Sequence, residues 1–137
     1  MRIKAGKIEI NYELSGNIEG PVVMLSHSLG SSSIMWEPQQ AALEGRYRLL
    51  HFDTRGHGKS DAPSGAYSLE ELTGDAIALL DTLGIDKVHF VGLSMGGMIA
   101  QCLSLQYGDR LCSLVLCDTA ADMPELTQPV WQERIDA

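Results

Sequence analysis

Basic residues are scarce in this chain: ten Lys and Arg stand against eighteen Asp and Glu, for a net charge of −8. Phosphate binding needs a cationic face, so no nucleic acid is expected as a partner. No apolar run approaches the roughly 18 residues of a membrane span. Met1 to Leu14 carries charges throughout, where a secretion signal would have an apolar centre. No membrane association is expected, and the location expected is the cytoplasm. The three cysteines, an odd number without metal-ligand spacing, fit that reducing compartment. Cys102, Cys112 and Cys117 lie in apolar stretches and are expected to be buried, inert thiols. Repeats and low-complexity segments are missing too.

What is present has ordinary globular composition, 45% hydrophobic and 20% charged, which argues against disorder. At about 150 residues per domain, 137 residues make one domain at most. The N-terminal stretch Arg2 to Leu14 alternates around Ala5-Gly6-Lys7, which predicts an antiparallel hairpin. Ser15 to Pro21 reads as a turn-rich connection. Val22 to Ser26 is a continuous apolar run, as a strand buried on both faces should be. After a polar loop, a short helix is expected from about Trp36 to Leu43, then a strand from Arg48 to Phe52. Ser68 and Glu71 form a capping box. Leu72, Ala76, Leu79, Leu80 and Leu83 then recur at helical spacing until Gly84 stops the helix. Val88 to Leu93 reads as a strand, Met95 to Tyr107 as a helix, and Leu111 to Cys117 as a third apolar strand. Strands alternating with helices imply a mainly parallel sheet carrying an N-terminal antiparallel hairpin, an α/β fold.

Gly92-Leu93-Ser94-Met95-Gly96 fits G-x-S-x-G between an apolar strand and a helix, and that context makes the pattern informative. A serine there occupies a sharp turn that lifts its hydroxyl clear of the sheet. The free amide of Met95 and the helix dipole would meet an oxyanion forming on a substrate carbonyl. The bland alternative is a glycine-rich turn with a capping serine. Gly97 is expected to serve close packing of helix on sheet. A second oxyanion donor should come from the loop after an earlier strand. His27-Ser28-Leu29-Gly30 lies in that place, and the amide of Leu29 is the candidate. His27 is expected to bond loop backbone.

Asp53 to Asp61 places Asp, His and Ser together, but residues this close on one loop seldom converge as a catalytic set. It is expected to be a hydrogen-bonded loop, with His57 a lesser candidate for general base. His51 and His89 fall inside strands. Trp36 is open between a core side chain and a wall of the site. Asp118 ends the last strand and reads as a cap or turn residue, or as a triad acid.

His27-Ser28-Leu29-Gly30, the D-x-R-G-H-G-x-S-D loop from Asp53 to Asp61, and Gly92 to Gly97 resemble the α/β-hydrolase superfamily in order and spacing. Within it the chain is similar to 3-oxoadipate enol-lactonases. Ser28 stands where many relatives have glycine, and Met35-Trp36-Glu37-Pro38-Gln39 and Val130 to Ile135 look like that group. The resemblance implies Ser94 as nucleophile, the amides of Leu29 and Met95 as oxyanion hole, and hydrolysis of a lactone or carboxylic ester. It implies no metal and no organic cofactor. Related esterases and perhydrolases share these features.

That superfamily places its triad acid and histidine after later strands. The resemblance therefore covers the first six strands, with the cap and last two strands missing. Residues 1–127 would be the N-terminal part of the core and residues 128–137 the start of a cap helix. Leu111 to Cys117 would be an apolar edge strand. The expected partner is a C-terminal chain of the same hydrolase, or a second copy. A non-catalytic fragment or binding module is the competing reading.

Overall fold

Backbone hydrogen bonding around Gly6 turns the chain back on itself at once. Arg2–Ala5 (β1) pairs antiparallel with Ile8–Gly16 (β2), and Gly6 has a left-handed φ of 60°. β2 runs two residues beyond the hairpin read from sequence, because Ser15 and Gly16 continue the pairing with Leu49 and Arg48. This computed structural model describes residues 1–122. The start of a cap helix expected over residues 128–137 lies outside the described residues.

The remaining strands are Val22–Ser26 (β3), Arg48–Phe52 (β4), Val88–Leu93 (β5) and Leu111–Cys117 (β6). The helices are Glu37–Leu43 (α1), Leu69–Thr82 (α2) and Met95–Gln106 (α3). A 3₁₀ turn over Ser33–Trp36 leads into α1, so the helix expected from Trp36 starts with a tighter turn. The sheet order is β1-β2-β4-β3-β5-β6, antiparallel through β2–β4 and parallel thereafter. Both halves of the capping box form: Ser68 Oγ accepts from the Glu71 amide at 3.2 Å, and Glu71 Oε2 accepts from the Ser68 amide at 3.0 Å.

Alternation along the central strands divides the core. Met24, Leu50, Phe52 and Phe90 face α2 and α3, where Leu79 and Leu103 close the layer. Val23, Leu25 and Leu49 face the other way, against Trp36. The cysteines are not buried as their apolar neighbours suggested. Cys112 is exposed and Cys102 and Cys117 are half-buried. Among the described residues β6 pairs on one edge only, so its side chains lack cover; Val115 and Leu116 remain 48% and 46% exposed. Apolar sequence neighbours indicate a strand, but burial needs another layer on top.

One loop ties the layers together at the end of the sheet that carries the site. Asp53, just after β4, is buried, and its carboxylate accepts from the amides of Ser33 (2.8 Å) and Lys59 (2.9 Å) and from Asn11 Nδ2 (2.9 Å). Gly58 has a left-handed φ of 53°, and a Cβ there would run into the Asp53 carboxylate. Arg55 anchors the same loop to α2 through both carboxylate oxygens of Asp75, at 2.5 and 2.7 Å. Burial alone would push the Asp53 carboxyl up; the donated bonds from Lys59, Ser33 and Asn11 outweigh it and hold the carboxyl below its ordinary range.

This predicts that Asp53→Asn, which puts an amide donor against bound donors, lowers unfolding stability by about 1–3 kcal/mol at pH 7. Because the folded group titrates below the unfolded one, the native stabilisation is complete above about pH 4 and falls away as the pH drops toward the folded value. The gap between the two proteins should therefore narrow at acid pH. Urea denaturation at pH 7 and pH 3 measures it, and a gap that is constant with pH would refute the assignment.

Candidate active site

β5 delivers the chain to Ser94 and α3 takes it away, and the junction is a backbone that L-residues rarely adopt. Ser94 has φ 52° and ψ −113°. Such a conformation costs of order 1–3 kcal/mol and persists only where surroundings impose it. Here they do. The Ser94 amide donates to Cys117 O at 2.9 Å, and the Ser94 carbonyl accepts from Thr119 Oγ1 at 2.8 Å and from the Gly97 amide at 2.9 Å. Asp118 has a φ of 39° and makes the turn that returns Thr119 to the elbow. Its backbone is that of a turn residue, which leaves the reading of Asp118 as a triad acid untouched.

Glycine is required at the helix start by close approach. A Cβ on Gly96 would collide with the carbonyl of Ser26 at the end of β3. A Cβ on Gly97 would lie 2.6 Å from Cβ of Thr119. The packing role read for Gly97 is therefore specific: it makes room for the residue that bonds Ser94. Thr119 was missed by sequence reasoning, and no local signal could have found it, since it lies 25 residues from its partner.

The loop after β3 leaves the sheet beside this elbow, because Ser26 pairs with Gly92 across β3 and β5. Leu29 is 56% exposed on that loop. Among the described residues its amide and that of Met95 donate to no protein group. Two histidines brace the loop from behind. His27 is fully buried; its Nε2 accepts from the Thr54 amide at 3.0 Å, so the ring proton sits on Nδ1, 2.8 Å from Ser28 O. Burial holds the His27 imidazole below its usual range, in the neutral form. His57 Nε2 accepts from the Gly30 amide at 3.3 Å, and its Nδ1 lies 3.0 Å from Arg55 O.

The lesser reading of His57 as general base does not fit these bonds, which occupy both ring nitrogens with loop backbone. His89 pairs with Ser113 Oγ at 2.8 Å, and His51 lies within β4. Among the described residues no side chain hydrogen-bonds the Ser94 hydroxyl. Trp36 is buried with Val23, Leu25 and Leu49. Among the described residues it is a core side chain, its ring packed into the sheet layer after the 3₁₀ turn. No cluster of three or more His, Cys, Asp or Glu among the described residues is placed to hold a metal ion. None of the described helices is long and apolar enough to cross a membrane.

The family described as alpha/beta hydrolase fold matches residues 21–135. The protein named 3-oxoadipate enol-lactonase 2 of Acinetobacter baylyi is 37% identical over 132 residues, 96% of this chain and 49% of that protein. The crystal structure of a hydrolase from Pseudomonas aeruginosa superimposes with a TM-score of 0.92 at 39% identity, over 99% of this chain and 51% of that one. The enol-lactonase structure from Burkholderia xenovorans does so with a TM-score of 0.88 at 43% identity, over 94% of this chain and 51% of that one. The chain thus spans about half the length of the relatives it matches. With its six-stranded mixed sheet and a serine at the strand-to-helix turn, the chain belongs to the alpha/beta hydrolase fold family.

Proposed function

We propose that this chain is the nucleophile-bearing portion of a serine hydrolase that opens a lactone or cleaves a carboxylic ester. 3-Oxoadipate enol-lactone, an intermediate of aromatic catabolism in the cytoplasm, is the first substrate to test. The observation that carries the reading is the strained Ser94 turn, with the amides of Met95 and Leu29 left without protein partners beside it. The similarity to proteins named enol-lactonase supports the choice of lactone.

In this mechanism Ser94 Oγ attacks the lactone carbonyl. The tetrahedral oxyanion accepts from the Met95 and Leu29 amides, fixed donors that need no reorganisation as charge develops. The ring C–O bond breaks to leave an acyl-enzyme on Ser94, and water attacks it to release the free acid. Serine is a weak nucleophile until a base takes its proton. Since none of the chain's four histidines bonds Ser94, the base and its orienting acid are assigned to the part of the relatives' length that this chain does not span. That part completes the site, whether it belongs to the same polypeptide or to a second one. Among the described residues β6 pairs on one edge only, and the other edge is where that part would add to the sheet.

Two experiments test this reading. Ser94→Ala in the chain complemented by a C-terminal portion should cut enol-lactone and short-ester hydrolysis by at least about 10³-fold and abolish fluorophosphonate labelling. Turnover that survives the substitution would sink the proposal. Labelling of a second residue in place of Ser94 would move the nucleophile.

Thr119→Val keeps the shape but removes the donor to the Ser94 carbonyl. One hydrogen bond is worth about 1 kcal/mol, so the labelling rate should fall roughly fivefold, with Thr119→Ser restoring it. Equal rates in both variants would show that the elbow is held without this bond.

A further inference from the structure

Ser28 and Gly30 flank the Leu29 amide, and each is bonded by a histidine. The Gly30 amide donates to His57 Nε2 at 3.3 Å. An imidazole that accepts on one nitrogen carries its proton on the other. The His57 proton is therefore on Nδ1, which lies 3.0 Å from Arg55 O and 3.2 Å from Thr54 Oγ1. His27 Nε2 accepts from the Thr54 amide at 3.0 Å, so it has no proton to give, and the Thr54 hydroxyl, 3.2 Å away, donates to it as well. The His27 proton is left on Nδ1, 2.8 Å from the carbonyl oxygen of Ser28. One hydrogen-bond chain thus starts at the Gly30 amide, runs through His57, Thr54 and His27, and ends at the Ser28 carbonyl. Its bonds all point the same way, the arrangement in which successive bonds polarise one another.

Covalent geometry gives that end point its importance. Ser28 C=O and Leu29 N–H belong to one peptide unit. None of the described peptide bonds is cis, so the two groups lie in one plane and point in opposite directions. Fixing the carbonyl fixes the line along which the Leu29 N–H donates. The same carbonyl accepts from the Ser31 amide at a longer 3.3 Å, across a turn whose third residue, Gly30, has a left-handed φ of 69°. His27 and Thr54 are buried, so water does not compete for these bonds.

We propose that His27 is a positioning residue for the oxyanion donor: its Nδ1–H, held by the chain from Gly30 through His57 and Thr54, fixes the plane of the Ser28–Leu29 peptide and with it the direction of the Leu29 N–H. This rests on the reading of Leu29 as an oxyanion donor in a serine hydrolase. A misdirected donor costs little while substrate binds and is felt as charge develops on the carbonyl oxygen.

The test separates the two ring nitrogens of His27. The Asn amide nitrogen stands as many bonds from Cα as Nδ1, and the Gln amide oxygen as many as Nε2. His27→Asn keeps a donor for Ser28, whereas His27→Gln keeps an acceptor for Thr54 and leaves the Ser28 carbonyl without its donor. Both are made in the chain together with the part that completes the site, and steady-state hydrolysis of phenyl acetate is followed. For His27→Gln, kcat should fall at least about tenfold with KM within about twofold of the parent. His27→Asn should recover most of that loss. Equal losses in the two variants would mean a space-filling role and overturn the proposal, as would a rise in KM in place of the fall in kcat. Parent-like kcat in His27→Gln, with turnover still abolished by Ser94→Ala, would overturn this inference alone. Parent turnover that survives Ser94→Ala would overturn the serine-hydrolase reading and this inference with it. A second readout needs no variant to fold: nitrogen NMR of the histidine-labelled chain at pH 7 should show His27 protonated on Nδ1 only. A proton on Nε2, or on both nitrogens, would overturn the proposal.

Discussion

The amide of Ser94 donates to the carbonyl of Cys117, and its carbonyl accepts from the hydroxyl of Thr119. These two bonds come from the segment that ends β6, and they reach a residue whose backbone has no local reason to hold its conformation. Everything proposed for the site depends on that hold. A serine with φ 52° keeps that backbone only while neighbouring strands impose the turn. Gly96 lets α3 begin against the carbonyl of Ser26, so the third support is β3. Three parallel strands thus converge on one residue at one end of the sheet, which is why a parallel architecture suits this chemistry.

The loop opposite Ser94 is held in another way. It has no regular structure around Leu29, so side chains take the place of a ladder. His57 accepts from Gly30, His27 is locked between Ser28 and Thr54, and Asp53 gathers the amides of Ser33 and Lys59. The dense polar stretch from Asp53 to Asp61 thereby acts as scaffold. Its histidine and serine resemble catalytic groups in a list of residue types, yet their bonds go to the backbone they support. Among the described residues the amide of Leu29 on this loop is left without a protein acceptor.

Local regularity was legible residue by residue. The continuous apolar run of Val22 to Ser26, the capping box of Ser68 and Glu71, and the stop at Gly84 each reflect interactions within a few positions. The elbow was legible as well, because G-x-S-x-G needs its glycines close by: Gly96 is two residues from Ser94. The cysteines misled because apolar neighbours indicate strand or helix, while burial depends on what lies over them. Thr119 was invisible for a related reason. A threonine after a strand has no distinctive local pattern, and its role exists only where the chain returns to Ser94.

By itself the sequence determined the order of strands and helices, the position of the sharp turn at Ser94 and the loop expected to face it. These follow from short-range periodicity, steric limits at glycine and the turn chemistry of neighbouring residues. Tertiary structure alone decided that Trp36 is packed in the core, that His27 and His57 brace a loop, that Cys112 is exposed, and that His51 Nε2 is buried without a partner among the described residues. Those outcomes depend on which distant segments meet, and a hydrogen bond or a covering layer is a property of the meeting, not of either segment.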